Sequence, residues 1–204
     1  MAQTSKAHQS LRDVPLPRRM LRCARDMRGY PIPFLMMPDS QIHIDGRKQK
    51  LCALKKLCMI CGRKLDRKKW FIGGQQAAVN RLFSDPAMHE ECARYALKVC
   101  PFLSNPDMKY RKKYDDDTHF YHVPGSTTTR SDTTMLLRSN GYKPVFWQSS
   151  AYIFANPWDY IEHWRAGEKV PDPEGRTLLD PWMNGGVFDP GGLAWGQLKV
   201  IERK

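Results

Sequence analysis

The sequence predicts an α+β fold, a zinc module embedded in a small single domain that also carries an antiparallel sheet. Three observations predict it. Cys58-Met59-Ile60-Cys61 and His89-Glu90-Glu91-Cys92 form two ligand pairs of matching short spacing, separated by 27 residues, which suits one tetrahedral Zn2+ site. The second pair follows Asp85-Pro86, an N-cap residue and a proline suited to the first helical position, so His89 and Cys92 are expected on one face of a helix's opening turns. Lys143–Gln148 and Ala151–Phe154 form two apolar runs joined by a short break, the pattern of an antiparallel hairpin.

Gly62 supplies the permissive backbone that a Cys-x-x-Cys knuckle needs. Trp70-Phe71-Ile72 and Ala77-Ala78-Val79 flank Gly73-Gly74-Gln75-Gln76 and are expected as two short strands around a turn. Knuckle, hairpin and helix in that order define a treble-clef-like module. Three thiolates and one imidazole fill a tetrahedral shell and leave no open position for water, so the ion is expected to be structural. The zinc deaminases differ: they place a His-x-Glu pair ahead of a Pro-Cys-x-x-Cys pair, and here Glu90 directly follows His89.

Residues 1–15 are polar and are expected as a flexible N-terminal tail, residues 16–167 as the zinc-containing α+β domain, and residues 168–204 as an irregular extension rich in proline, glycine and tryptophan. From Arg18 to Arg28, Met20, Cys23, Ala24 and Met27 fall on one helical stripe, predicting a short basic helix ended by Gly29. Tyr30 to Pro38 holds three prolines, which exclude a helix and predict an extended apolar strap. Gln41–Gly46 alternates as a short strand with His43 on the surface, and a helix from Arg47 to Leu57 delivers the chain to the knuckle.

His119-Phe120-Tyr121-His122-Val123 alternates as a strand, and residues 125–134 read as a low-complexity loop. Asn156-Pro157 resembles a cap and first turn, and Trp158, Ile161, Glu162 and Arg165 then recur at helical spacing up to Gly167, predicting a helix. Within the extension one closing strand is expected from Gln197 to Ile201.

The net charge of +12 is uneven, with 24 Lys/Arg against 9 Asp/Glu in residues 1–114 and 9 against 12 thereafter. A basic half of this kind suits a polyanion, nucleic acid first among them. Its densest part is residues 46–70, where Arg47, Lys48, Lys50, Lys55, Lys56, Arg63, Lys64, Arg67, Lys68 and Lys69 meet one acid, Asp66. Such side chains neutralise phosphates, and Trp70 at the edge could stack on an unpaired base of DNA or RNA. The competing reading is a solvated collar with Trp70 in the core. Lys109, Arg111, Lys112 and Lys113 form a second basic cluster before Asp115-Asp116-Asp117, which reads first as a solvated turn and, with His119 and His122, as an alternative second site.

Cys23, Cys52 and Cys100 lack the spacing of a disulfide framework and are expected to be reduced. The chain shows no apolar run of membrane length and no hydrophobic signal core, so a soluble intracellular protein without membrane partners is expected.

Arg18 to Pro33, the Cys58–Cys61 knuckle, Ala77 to Arg81, Pro86-x-x-His89-x-x-Cys92-Ala93 and Cys100-Pro101-Phe102-Leu103 are similar to an uncharacterised family of bacteriophage and bacterial mobile-element proteins. The similarity continues more weakly through Val145-Phe146-Trp147 and Asn156-Pro157-Trp158, covering residues 15–167, and implies a setting in the host cytoplasm but no activity. Asn80 to His89 also resembles the Asn and second His of a His-Asn-His nuclease, whose first-strand His is replaced here by Lys68-Lys69-Trp70-Phe71.

The leading expectation is therefore a zinc-stabilised accessory protein of phage type that binds nucleic acid around residues 46–70. An alternative is a protein-binding factor that docks on a host polymerase, nuclease or defence complex through its aromatic C-terminal tail. A second alternative is a nuclease or nucleotide-processing enzyme using His119, His122 and Asp115–Asp117.

Overall fold

A computed structural model describes residues 13–37, 43–105, 133–147, 150–171 and 199–200. The described chain is α+β, with two four-stranded sheets whose pairings are all antiparallel. The first sheet has the order β1-β3-β6-β7, with β1 at Lys69–Gly73, β3 at Thr134–Ser139, β6 at Trp158–Arg165 and β7 at Glu168–Val170. The second has the order β2-β5-β4-β8, with β2 at Leu82–Phe83, β5 at Ser150–Ala155, β4 at Tyr142–Trp147 and β8 at Lys199–Val200. Four helices accompany them among the described residues: α1 at Gly46–Lys55, α2 at Gln75–Asn80, α3 at Glu90–Val99 and α4 at Pro101–Ser104. None is long and apolar enough to cross a membrane.

Aromatic rings join the two sheets. Phe71 on β1 lies 5.1 Å from Phe83 on β2, 6.2 Å from Tyr142 on β4 and 5.6 Å from Trp158 on β6, the last two edge to face. Such pairs add to the large apolar area each ring buries. The polar ends of the rings are satisfied: Tyr142 donates its hydroxyl to the Cys52 and Ala53 carbonyls of α1, and Trp158 donates its indole N–H to Ala78 O of α2.

Several expected elements are present. Helix α1 is capped by Asp45, whose carboxylate accepts from the Arg47 and Lys48 amides. The hairpin of β4 and β5 pairs from Tyr142↔Ala155 to Trp147↔Ser150, and β8 lies beside β4 within the expected closing strand. The strap is non-helical as expected, but it is not extended throughout: Met36 N–H donates to Pro33 O at 2.9 Å and closes a turn at Phe34–Leu35, where Leu35 is wholly buried and Phe34 and Leu35 donate to Ile60 O and Met59 O of the knuckle.

Other expectations are corrected. The basic helix from Arg18 to Arg28 shrinks to one 3-10 turn at Arg18–Met20. Asp26 then accepts from the Arg28 and Tyr30 amides and folds the chain back, so that Arg25 bridges Pro31 and the supposed stripe is split. Met20 is buried at 2% exposure while Met27 is fully exposed. The hairpin over Trp70–Val79 does not form, because β1 pairs with β3 along one edge and Trp70 bridges Met88 on the other. Ala77–Val79 lie instead in α2. The helix expected from Asp85 begins only at Glu90: Met88 exchanges backbone hydrogen bonds with Trp70 at 2.8 and 3.1 Å and is held extended.

The helix expected after Asn156-Pro157 is strand β6, paired with β3 from Thr134↔Trp164 to Ser139↔Trp158. Tyr160, Glu162 and Trp164 alternate along it, a period-2 pattern that the 3–4 spacing masked, and a register shift at Asp159 turns Trp158 to the other face, against Phe71. Ala166 at φ 50° and Gly167 at φ 81° make the two-residue turn into β7, where two positive φ values suit a hairpin. The sheet thus runs to Val170, past the expected boundary at residue 167. Val14 and Leu16 also pack on the core. The His119 strand, the second basic cluster and Asp115–Asp117 lie outside the described residues, as does the expected 125–134 loop up to residue 132; Thr134 at its end already belongs to β3.

One buried carboxylate ties α3 to the first sheet. Glu162, 4% exposed, accepts a two-pronged contact from Arg94 at 2.8 and 3.1 Å, with further bonds from Tyr160, Trp164 Nε1 at 3.0 Å and Lys169 at 3.0 Å. Burial alone would raise its pKa, but these donors hold it down at about 2, against an ordinary 4.5. The contribution to stability is therefore complete above pH 4.5 and is lost as the pH falls toward 2. Glu162→Gln is expected to lower the unfolding free energy at neutral pH by about 3 kcal/mol in urea titrations. The gap to the natural chain should close as the pH drops below 4.5.

Candidate metal centre

Helix α1 ends at Lys56, whose left-handed backbone at φ 55° turns the chain into the knuckle. There Leu57 bridges Lys64, the Cys58 amide donates to Arg63 O at 2.8 Å, and the Gly62 amide donates to Cys58 O at 2.9 Å. Gly62 sits at φ 70°, and a Cβ there would lie 2.8 Å from the Phe34 ring. No other residue fits this turn without moving the strap.

Two backbone contacts bring the second ligand pair alongside the first. Met59 N–H donates to Ala87 O at 3.2 Å, and the Trp70–Met88 pair holds the next residue. His89 is then the N-cap of α3, and Cys92 lies in its first turn. The positive end of the helix dipole favours a thiolate at that position.

The four donor atoms of Cys58, Cys61, His89 and Cys92 all lie within 4.8 Å of one another, and this cluster could hold a metal ion. Cys61 Sγ is 3.4 Å from His89 Nδ1, close to the edge of about 3.5 Å that a tetrahedral sulfur–nitrogen shell requires. His89 Nε2–H donates to Lys64 O at 2.9 Å, which fixes the tautomer that leaves Nδ1 free to ligate. Cys58, His89 and Cys92 are buried and Cys61 is half-buried, so the cluster opens to solvent on one side at most.

The protons of the cluster show what it requires. Hydrogen bonds with Cys58 and Cys92 hold the Cys61 thiol far below its usual range, and those with Cys58 and Cys61 drive the Cys92 thiol up. Burial would lower the His89 pKa, but its hydrogen bonds to Cys58 and Cys61 raise it to about 10. A thiolate beside a charged imidazole is the best the cluster achieves with protons alone. A divalent ion would displace them and satisfy all four donors together.

Cys23, Cys52 and Cys100 form no disulfide. Burial pushes Cys52 up to about 12, which makes it unreactive.

The basic residues of 46–70 divide into two groups. Arg47, Lys55, Lys56, Arg63, Lys64 and Arg67 are exposed around α1 and the knuckle. Lys48 instead donates to Met36 O at 3.0 Å and lies over the Phe34 ring, and Lys68 binds Asp159 and Asn140. Lys69, 7% exposed, donates to the Asp66 and Arg67 carbonyls. Trp70 is 4% exposed, edge to face with Tyr160, with the Arg94 and Arg138 guanidinium groups 5.5 and 5.6 Å from its ring. It offers no open face to a base, which corrects the stacking role expected of it. Sequence reasoning missed Phe34, which seals the knuckle, and the Arg94–Glu162 pair that anchors the ligand-bearing helix.

Comparisons with protein-family models, with curated proteins and with solved structures give no match for this chain.

The expected response to metal removal follows from the burial of the ligands. A strong chelator should abolish the cooperative unfolding transition, and readdition of Zn2+ should restore it, both followed by circular dichroism. His89→Ala and Cys92→Ser, each leaving three donors, should reproduce the chelated state without chelator. A chain that keeps its transition after complete metal removal would contradict a structural role for the ion.

Proposed function

We propose that the four-residue cluster holds a structural Zn2+ in a treble-clef-like arrangement, and that the chain is a nucleic-acid-binding accessory protein of the phage type that its sequence resembles. Three soft sulfurs and one imidazole in a compact shell favour zinc over the oxygen-seeking cations. A closed shell assigns the ion to folding, and the polyanion contact to the surface it holds in shape.

The observation that carries the binding reading is the exposed collar of Arg47, Lys55, Lys56, Arg63, Lys64 and Arg67 around the knuckle. The one acid within residues 46–70, Asp66, is paired with Arg19 at 3.0 Å, so it already has a cationic partner beyond the collar. Arg25 extends the positive surface: it and Arg63 are both close enough to Cys23 to lower its thiol pKa against the burial that raises it. With Trp70 buried, the contact is one of phosphates with cations and carries little base readout.

Binding of fluorescent single-stranded DNA, duplex DNA and RNA between 50 and 200 mM salt tests this reading. Affinity should fall steeply with salt in a log–log plot, with a slope of about −0.7 to −0.9 for each phosphate contacted. Arg63→Glu, Lys64→Glu and Arg67→Glu should each weaken binding and flatten that slope by about one unit, with unfolding unchanged. A flat salt dependence, or variants that bind as the natural chain does, would overturn the proposal.

A further inference from the structure

A second surface adjoins the collar, meeting it at Arg25. The strap, the turn from Met20 to Arg28 and the end of α3 enclose a cavity of about 190 Å³, with Met20, Tyr30, Ile32, Met36, Tyr95 and Val99 in its walls. The space is well below that of a drug-sized pocket and matches one bulky apolar side chain. The Tyr30 hydroxyl, in a residue only 8% exposed, has no hydrogen-bond partner among the described residues. Two large apolar side chains stand exposed on the turn beside the cavity, Leu21 at 63% and Met27 fully. Together with the cavity they give this face more apolar surface than either residue would alone.

The charge around the cavity is one-sided. Asp26, the carboxylate in its wall, is committed to Arg28 and to the Tyr30 amide. Arg18, Arg22 and Arg25 are exposed and make no ion pair among the described residues. Arg25 is near enough to draw the Tyr95 phenol pKa down against burial, which raises it, so its charge reaches the cavity wall.

We propose that this face is a docking site for an acidic peptide segment of a partner protein, with one bulky apolar residue seated in the cavity and flanking carboxylates on Arg22 and Arg25. A nucleobase suits the cavity less well. Its several polar atoms would be stripped of water against mostly apolar walls, whereas a phenyl or isobutyl group leaves only the Tyr30 hydroxyl without a partner. The arginines supply approach and register, and the cavity supplies the anchor.

The test uses the full chain loaded with Zn2+ and two fluorescein-labelled acidic peptides, identical except that one has phenylalanine and the other alanine at the centre. The phenylalanine peptide should bind at least about tenfold more tightly, the equivalent of burying one large side chain. Ala96→Leu, which fills the cavity from α3, should abolish that preference and leave the alanine peptide's binding unchanged. Arg25→Glu, an exposed change that leaves the fold intact, should weaken both peptides. Equal affinity for the two peptides, or indifference to both variants, would overturn the proposal. So would variants that weaken an oligonucleotide and not the peptides, because the face would then belong to nucleic acid, as would self-association of the chain that Ala96→Leu disrupts.

Discussion

Three sulfurs and one imidazole nitrogen within 4.8 Å of one another concentrate donor atoms that can all be satisfied at once by a cation among them. Protons can fill that need in part, by charging His89 and leaving Cys61 a thiolate. A divalent cation fills it completely. The rest of the described structure depends on this constraint, because the two segments that supply the ligands are also those to which the other elements attach.

The attachments can be followed outward. The knuckle pairs with the strap through Ile60 and Met59, and with the second ligand segment through Met59 and Ala87. That segment pairs with β1 through Met88, and β1 leads across β3 to β6. Helix α3 returns to β6 through Arg94 and Glu162, closing a loop of contacts from metal cluster to sheet and back. Trp70 lies inside that loop, against Tyr160 and between two guanidinium groups. Its burial follows from its position between the cluster and the sheet.

What the sequence made legible was local chemistry. The ligand spacings could be read because a tetrahedral ion admits few of them, and the strap because proline excludes helical backbone. The β4–β5 hairpin could be read because its strands are neighbours in the chain. Partners chosen over long distances could not. The strand Trp70–Gly73 pairs with residues 135–138, more than sixty positions away, so the nearby Ala77–Val79 was mistaken for its partner. In β6, Trp158, Ile161, Glu162 and Arg165 satisfy a helical period, while the alternating Tyr160, Glu162 and Trp164 satisfy an extended one. The ladder with β3 decided between them. The candidate metal site was thus legible to the residue. The basic surface was legible only as a composition: nothing in the order Lys68-Lys69-Trp70 reveals that Lys69 and Trp70 turn inward while Arg63, Lys64 and Arg67 do not.

X-ray absorption at the zinc edge, on protein purified at neutral pH without added metal, tests the central claim most directly. The account predicts one zinc ion per chain, with three sulfur neighbours at about 2.3 Å and one nitrogen at about 2.0 Å. A shell of oxygen and nitrogen alone, or a folded chain that carries no metal, would contradict it.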